Sequence, residues 1–313
     1  MRYQVDVNVT LRSNAPRPLT DLQGDKVPAR YHSVFRPGLF EGQRFWVTGG
    51  GSGIGRCVAH ELAALGAHVL ISGRTQDKLE RVTAEIAEDG GRCEWRAFDI
   101  RDEEAVKANV AAALEAGAIA GLVNNAGGQF PAPLMAINKK GFDAVVTNNL
   151  TGGFLMMREL FTQCMQAHGG NIVNMTADYK LGMPGMAHTG AARAGMANLT
   201  MSAAYEWAHA GVRVNAVAPG WVASSGMDSY SGAARALIPK LKNHVPLRRL
   251  AMEAEVSAAI VFLLSPAAAF ITGVTLQIDG GAGLGSPGFP SLDHDRSVPF
   301  NGFHRAVMPE VLK

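Results

Sequence analysis

Short apolar runs alternate with longer amphipathic stretches between about residues 41 and 284. The runs at 44–48, 67–72, 93–98, 119–123, 171–176, 212–217 and 274–278 are bounded by glycine or polar turns and read as strands. Residues near 54–65, 75–89, 102–116, 139–167, 189–209 and 253–264 place apolar positions at helical spacing. This alternation predicts an α/β fold, one doubly wound parallel sheet covered by helices on both faces. Ligands of such sheets bind beyond the carboxyl ends of the strands.

Three stretches break the pattern. Residues 1–40 lack sustained periodicity and carry Pro16, Pro18, Pro28 and Pro37, which reads as an extended N-terminal arm. Residues 221–252 follow Ala218-Pro219-Gly220 and mix Trp221, Met227, Tyr230 and Leu237 with Gly and Ser. A long insertion at a ligand-binding edge is a candidate substrate lid; the bland alternative is a surface hairpin. Residues 285–313 form a polar tail whose His294 and His304 read as surface or interface groups. One domain, 41–284, is therefore expected, flanked by the arm and the tail.

The richest chemistry follows the first strand. Arg44-Phe45-Trp46-Val47 runs into Thr48-Gly49-Gly50-Gly51-Ser52-Gly53-Ile54-Gly55, and a helical pattern begins at once. Glycines at such a turn let the backbone approach a pyrophosphate, and the helix N-terminus offers it free N–H groups and a positive dipole end. Thr48, Gly49, Ser52, Gly53, Ile54 and Gly55 are thus candidate dinucleotide contacts. A second motif, Asn124-Asn125-Ala126-Gly127, closes the strand Leu122-Val123.

Composition excludes several other classes. Of 313 residues, 47% are hydrophobic, ample for a core, and the net charge of +2 gives no reason to expect a polyanion. No basic stripe with interleaved aromatics points to nucleic acid. Cys57, Cys93 and Cys164 are far apart, with no CxxC or HExxH, so neither a disulfide framework nor a metal site is expected. The start of the chain lacks the apolar core of a signal peptide, and Glu255 and Pro266 interrupt its most apolar late stretch. A cytoplasmic protein that is not membrane-bound is the expectation.

Both glycine-rich motifs are complete, and together they resemble the short-chain dehydrogenase/reductase family, with its TGxxxGxG and NNAG. The resemblance implies a Rossmann-type fold and a nicotinamide cofactor. It adds Asp99, Ile100, Asn125, Ala126, Gly127, Pro219, Gly220, Val222 and Ser224 as cofactor contacts. The family's acidic NAD-selecting position falls on Gly73, and Arg74 follows, where a guanidinium can pair with a 2′-phosphate. Ser72 and Thr75 are further donors, and NADP(H) is the expected cofactor. Asp99 has an alternative role in capping the helix that begins near Asp102.

The family's proton-exchange machinery is altered. Aligning Arg193-Ala194-Gly195 on the family's KAG puts Arg193 at its Lys and Thr189 at its Tyr. A Thr hydroxyl is a poor acid at neutral pH, so the usual mechanism does not transfer. The Asn partner falls on Asn149. The Ser position falls on Ala177 by one count and Thr176 by another, and only Thr176 can donate a hydrogen bond. Tyr179, three residues further on, is a candidate proton donor with Arg193 as its neighbour and as the ribose-binding cation. Dienoyl-CoA reductases of this family also use a Tyr on this loop.

Longer strings are similar to the trans-2-enoyl-CoA reductase branch of the family and its bacterial members. They are Pro37-Gly38-Leu39 before Gly42-Gln43, NNAGGQF from Asn124, HTGAARAGMANLT from His188 and SPAAAFITG from Ser265. In one departure, Ala197 stands where such relatives carry a Tyr. The reaction implied is NADPH-dependent reduction of the C2=C3 bond of an enoyl-CoA. The alternatives are carbonyl–alcohol interconversion on a non-CoA substrate and a catalytically weak NADP-binding sensor or scaffold. The resemblance also implies a homotetramer or homodimer, paired through the small residues Gly190, Ala191, Ala192, Ala194, Gly195 and Ala197.

Overall fold

The computed structural model describes residues 30–284 and 292–313. Seven strands form one parallel sheet: β1 (Arg44–Thr48), β2 (His68–Gly73), β3 (Arg92–Ala97), β4 (Gly121–Asn124), β5 (Gly170–Met175), β6 (Val212–Pro219) and β9 (Thr275–Ile278). Their order is β3-β2-β1-β4-β5-β6-β9, so the winding reverses between β1 and β4. A crevice opens at that reversal, beyond the strand ends, which is where such sheets take a ligand. The glycine string and the NNAG motif form its two walls.

Strand alternation builds two cores. Phe45 and Val47 of β1, with Val69 and Ile71 of β2, face α1 (Gly53–Ala64), α2 (Gln76–Glu88) and α9 (Glu253–Leu264). Trp46 and Leu70 point the other way, toward α3 (Glu103–Leu114), α5 (Gly152–Leu160) and α7 (Ala187–Trp207). A strand buried on both faces needs apolar residues at every position, which is why its sequence reads as a continuous run.

The helix expected over 139–167 is interrupted. It runs as α4 (Lys139–Val146), a π turn at Thr147–Thr151, α5, a second π turn at Phe161–Met165 and α6 (Gln166–His168). The first π turn swells the helix around buried Asn149, and such bulges often mark functional sites. A hydrophobic period does not reveal one extra residue in a turn.

The insertion at 221–252 is built from 3₁₀ turns and α8 (Gly232–Leu237). Its base is closed by a two-residue ladder of β7 (Val222–Ala223) with β8 (Ala251–Met252). Met227, Ile238 and Leu241 give it a small core, against which Val311 and Leu312 of the tail also pack.

The described parts of the arm and tail are docked rather than extended. Tyr31 is buried beside Cys57 and Phe303, and its hydroxyl donates to Glu61 at 3.1 Å. Phe40 lies in the first core. His304 is engaged rather than on the surface: Nε2 lies 3.0 Å from Asp89, which also takes Arg305. The last residues reach the insertion, where the Asp228 carboxylate accepts the N–H groups of Glu310 and Val311, each at 3.1 Å. Isolated anchors on a polar segment leave no period, so the sequence does not show this docking. Residues 1–29, with Pro16, Pro18 and Pro28, and residues 285–291 lie outside the described residues. Among the described residues, no helix is long and apolar enough to cross a membrane.

Candidate active site

The glycine string is shaped by close contacts. Gly49 and Gly53 have φ of 68° and 57°, the left-handed region that glycine adopts without a Cβ clash. A Cβ on Gly55 would lie 2.4 Å from both the Gly49 carbonyl and the Asn125 amide nitrogen. Asn125 and Thr48 form a latch across the crevice. The Asn125 amide donates to the Thr48 and Gly49 carbonyls at 3.0 and 3.3 Å. The Thr48 hydroxyl accepts the N–H groups of Asn125 and Ala126, both at 3.0 Å. Both side chains therefore hold the loop's shape, and the surfaces left toward a cofactor are backbone. Ser52, exposed at the start of α1, uses its side chain for no cap bond.

The nucleotide end differs from expectation in two places. Ser72 is fully buried, and its hydroxyl accepts the Trp46 indole N–H at 3.0 Å, so it faces the core. Ile100 packs inward against Gly152 and offers the crevice only its backbone. Arg74 is exposed beside Asp99. Asp99 binds Arg101 through both carboxylate oxygens, and these hydrogen bonds hold its carboxyl below the usual range. It does not cap α3; Asp102 does, accepting from Ala105 N–H at 3.1 Å.

Pro219 and Gly220 end β6 at the same edge. A Cβ on Gly220 would meet Asp279 at 2.9 Å, which accounts for that glycine. Val222 turns its side chain into the first core, while Ser224 starts the insertion's first 3₁₀ turn. Asp178 faces Asp279 across Gly283, and burial together with that second carboxylate pushes its carboxyl up.

The catalytic candidates divide. The Thr176 hydroxyl is spent on the Val217 carbonyl at 2.8 Å, because strand β5 stops at Met175 and Thr176 continues its bonding to β6. Asn149 is a staple. Its amide donates to the carbonyls of Gly128 at 2.6 Å and Val145 at 2.8 Å, and its oxygen accepts Gly128 N–H at 3.2 Å. It positions the loop after β4 rather than offering a free donor. Tyr179 sits half-buried in the loop after β5, with no hydrogen bond or ion pair to Arg193 among the described residues. No carboxylate is paired with Arg193 among the described residues either.

Arg193 and Thr189 do come together, one turn apart on α7 and both buried. Arg193 donates to the Met175 carbonyl at 2.6 Å, and its Nη2 is 2.8 Å from where a Cβ on Gly127 would stand. Burial alone pulls its pKa down to about 10, so it stays cationic at neutral pH. Its Nε and the Thr189 hydroxyl are buried without a partner among the described residues. A buried guanidinium with one N–H unused, beside a buried hydroxyl without a partner among the described residues, fits an oxygen-rich ligand such as a ribose.

Two contacts escaped the sequence. The Gln129 amide donates to the Tyr230 hydroxyl at 2.9 Å, joining the insertion to the loop after β4. His188 is fully buried and stands edge-to-face on Phe130, with centroids 4.5 Å apart. Nothing local in the sequence marks either, since both join segments far apart in the chain.

Comparison with known proteins agrees with this architecture. Residues 49–283 match a family model described as enoyl-(acyl carrier protein) reductase. A peroxisomal 2,4-dienoyl-CoA reductase of Mus musculus is 33% identical over 276 residues, covering 87% of this chain and 94% of that one. Among solved structures, the citronellol catabolism dehydrogenase AtuB of Pseudomonas aeruginosa PAO1 is 60% identical with a TM-score of 0.73, covering 80% of this chain and 99% of that one. A structure from Beutenbergia cavernae described as an NAD(P)-dependent gluconate 5-dehydrogenase with NADP bound at low occupancy is 37% identical with a TM-score of 0.73, over 79% and 99% of the two chains. The chain is an oxidoreductase that belongs to the short-chain dehydrogenase/reductase family.

Proposed function

We propose that this enzyme uses NADP(H) to reduce the C2=C3 bond of an enoyl-CoA. The observation that carries this reading is the site around Thr189: no phenol stands at the proton-exchange position, while buried donors there have no partner among the described residues. Carbonyl–alcohol exchange moves a proton on oxygen, which calls for an acid–base group with a pKa near the working pH. Conjugate reduction asks less. The electrons of the double bond move to the thioester oxygen, and the resulting enolate needs only fixed hydrogen-bond donors. Carbon C2 then takes its proton from water.

When bound, NADPH supplies the hydride that C3 accepts. Arg193 would hold the nicotinamide ribose, and the glycine string with the start of α1 would hold the pyrophosphate. Leu134, Met135 and Leu181, exposed on the loops after β4 and β5, offer an apolar surface to an acyl chain. The dienoyl-CoA reductases among the relatives support a CoA thioester substrate.

A second reading has its own support. The 60% identical neighbour is a citronellol catabolism dehydrogenase, which favours interconversion of an acyclic alcohol and its aldehyde. One assay separates them. NADPH oxidation is followed with crotonyl-, hexenoyl- and decenoyl-CoA and with citronellal, and NADP⁺ reduction with citronellol. Turnover confined to the thioesters upholds the first reading, and turnover confined to citronellol and citronellal upholds the second. NADPH binding with no turnover on any of them would mark a sensor or scaffold.

NADPH is expected to be preferred over NADH, because Gly73 removes the carboxylate that would repel a 2′-phosphate and Arg74 supplies a cation. Arg74→Ala should weaken NADPH binding about ten- to a hundredfold, the scale of a lost charged hydrogen bond, and leave NADH nearly untouched. Fluorescence titration of both cofactors checks this. Equal affinities in the wild type would refute it.

The protein is expected to assemble as a homotetramer or homodimer. On α7, Ala192 and Ala197 pack inward, while Ala191 and Ala194 lie outward in line with exposed Met201 and Tyr205. A second apolar patch, Phe270, Val274, Leu276 and Leu284, lies near β9. Light scattering at micromolar concentration should give at least twice 33.1 kDa; a monomer would rule the assembly out.

A further inference from the structure

Eight buried side-chain polar atoms have no partner among the described residues, and three of them fall within six residues of one another at the start of α7. They are His188 Nε2, Thr189 Oγ1 and Arg193 Nε. Each such atom carries an unrecovered desolvation cost. Three together, in the wedge between α7 and the loop after β4, mark a place built for an occupant with oxygen acceptors.

We propose that His188 is a catalytic residue whose Nε2–H donates to the thioester carbonyl oxygen of the substrate as negative charge develops there. The assignment rests on the thioester reading above. The ring's other nitrogen fixes the tautomer. Nδ1 accepts the backbone N–H of Thr189 at 2.9 Å, so Nδ1 carries no proton and Nε2 carries the one that can be donated. Protonating Nδ1 would break that bond at the first turn of the helix. The imidazole is thus held as a donor of a hydrogen bond rather than of a proton, a role in which an uncharged ring polarises a carbonyl.

Capping the helix explains Nδ1 but leaves Nε2 unused. Thr189, the next residue, adds a second buried hydroxyl without a partner among the described residues. Phe130, 39% exposed and edge-to-face on the imidazole, is the side chain that gives way as substrate enters. Its neighbour Gln129 is tied to Tyr230 of the insertion, so the same movement is coupled to that segment.

The test compares the wild type with His188→Phe, which keeps a ring without a donor, and His188→Gln, which restores an N–H. On the enoyl-CoA that the wild type reduces fastest, H188F should lose about 10²- to 10³-fold in kcat, the range for one oxyanion donor. KM and the NADPH dissociation constant should stay within about threefold, and H188Q should recover at least tenfold of the loss. A merely structural role would instead lower NADPH affinity and thermal stability along with kcat. H188F turning over within threefold of the wild type overturns the assignment alone. A wild type that reduces no thioester overturns the functional reading, and this assignment with it. Should H188F not fold, ¹⁵N NMR of histidine-labelled wild type carries the test, with H188Q identifying the signal. The Nε2 resonance and its proton should move when hexanoyl-CoA is added with NADP⁺; an unmoved signal at saturation overturns the proposal.

Discussion

Arg193→Ala is expected to lower kcat/KM about a thousandfold while leaving the melting temperature unchanged or higher. The two effects have one cause. Arg193 is buried, and no carboxylate pairs with it among the described residues, so the fold carries a cation it does not neutralise. The shift from the usual 12.5 to about 10 corresponds to a penalty of about 3 kcal/mol, at 1.36 kcal/mol per pKa unit. Because the folded value is depressed, the penalty is present in full below it and fades as pH rises through it. A stability cost of this kind persists where function needs it. Removing the guanidinium relieves the penalty but takes away a bond to the Met175 carbonyl and the cation expected at the nicotinamide ribose. The loss should appear in both NADPH affinity and turnover. Arg193→Lys should fall between, since an ammonium keeps the charge but not the planar fork. Steady-state kinetics, NADPH titration and thermal melts on the three proteins decide it. An alanine variant with near-normal kcat/KM would remove Arg193 from the site.

Gly55→Ala is expected to raise the NADPH dissociation constant by a factor of a hundred or more. The methyl group would stand 2.4 Å from the Gly49 carbonyl and 2.4 Å from the Asn125 amide, closer than packed atoms approach. Neither neighbour can yield freely. Gly49 is held by Ser72, whose carbonyl accepts its N–H at 2.7 Å, and Asn125 is held by its bonds to Thr48 and Gly49. The whole latch would have to move, at a strain of about 1–3 kcal/mol, and the N–H groups at the start of α1 would lose their aim on the pyrophosphate. Gly90→Ala makes a useful control for added bulk alone, since no atom lies within 4 Å of its Cβ position, though φ of 81° there costs some stability. A Gly55→Ala protein that binds NADPH like the wild type would show that the string does not hold the cofactor.

The division between sequence and structure runs through particular residues. Apolar periodicity was enough for the strands, the main helices and a crevice after β1 and β4, because a doubly wound sheet imposes its burial locally. Val47 and Trp46 are both apolar since each face of β1 is covered. Glycine at 49 and 55 was equally legible, because only glycine tolerates those contacts and that left-handed turn.

Which hydroxyls and amides remain free was not legible. Thr176, Ser72, Thr48 and Asn149 looked like site donors by position, yet each is spent on a partner far away in the chain or on backbone. The stop of β5 one residue early decided Thr176, a π turn adding one residue decided Asn149, and groups on or just beyond neighbouring strands took up Ser72 and Thr48. His188 went the other way: a residue unremarked in its string is buried with one nitrogen bound and the other without a partner among the described residues. Residue type and spacing determine which groups can donate or accept. Only the packed chain, by pairing most of them internally, decides the few left over for a ligand.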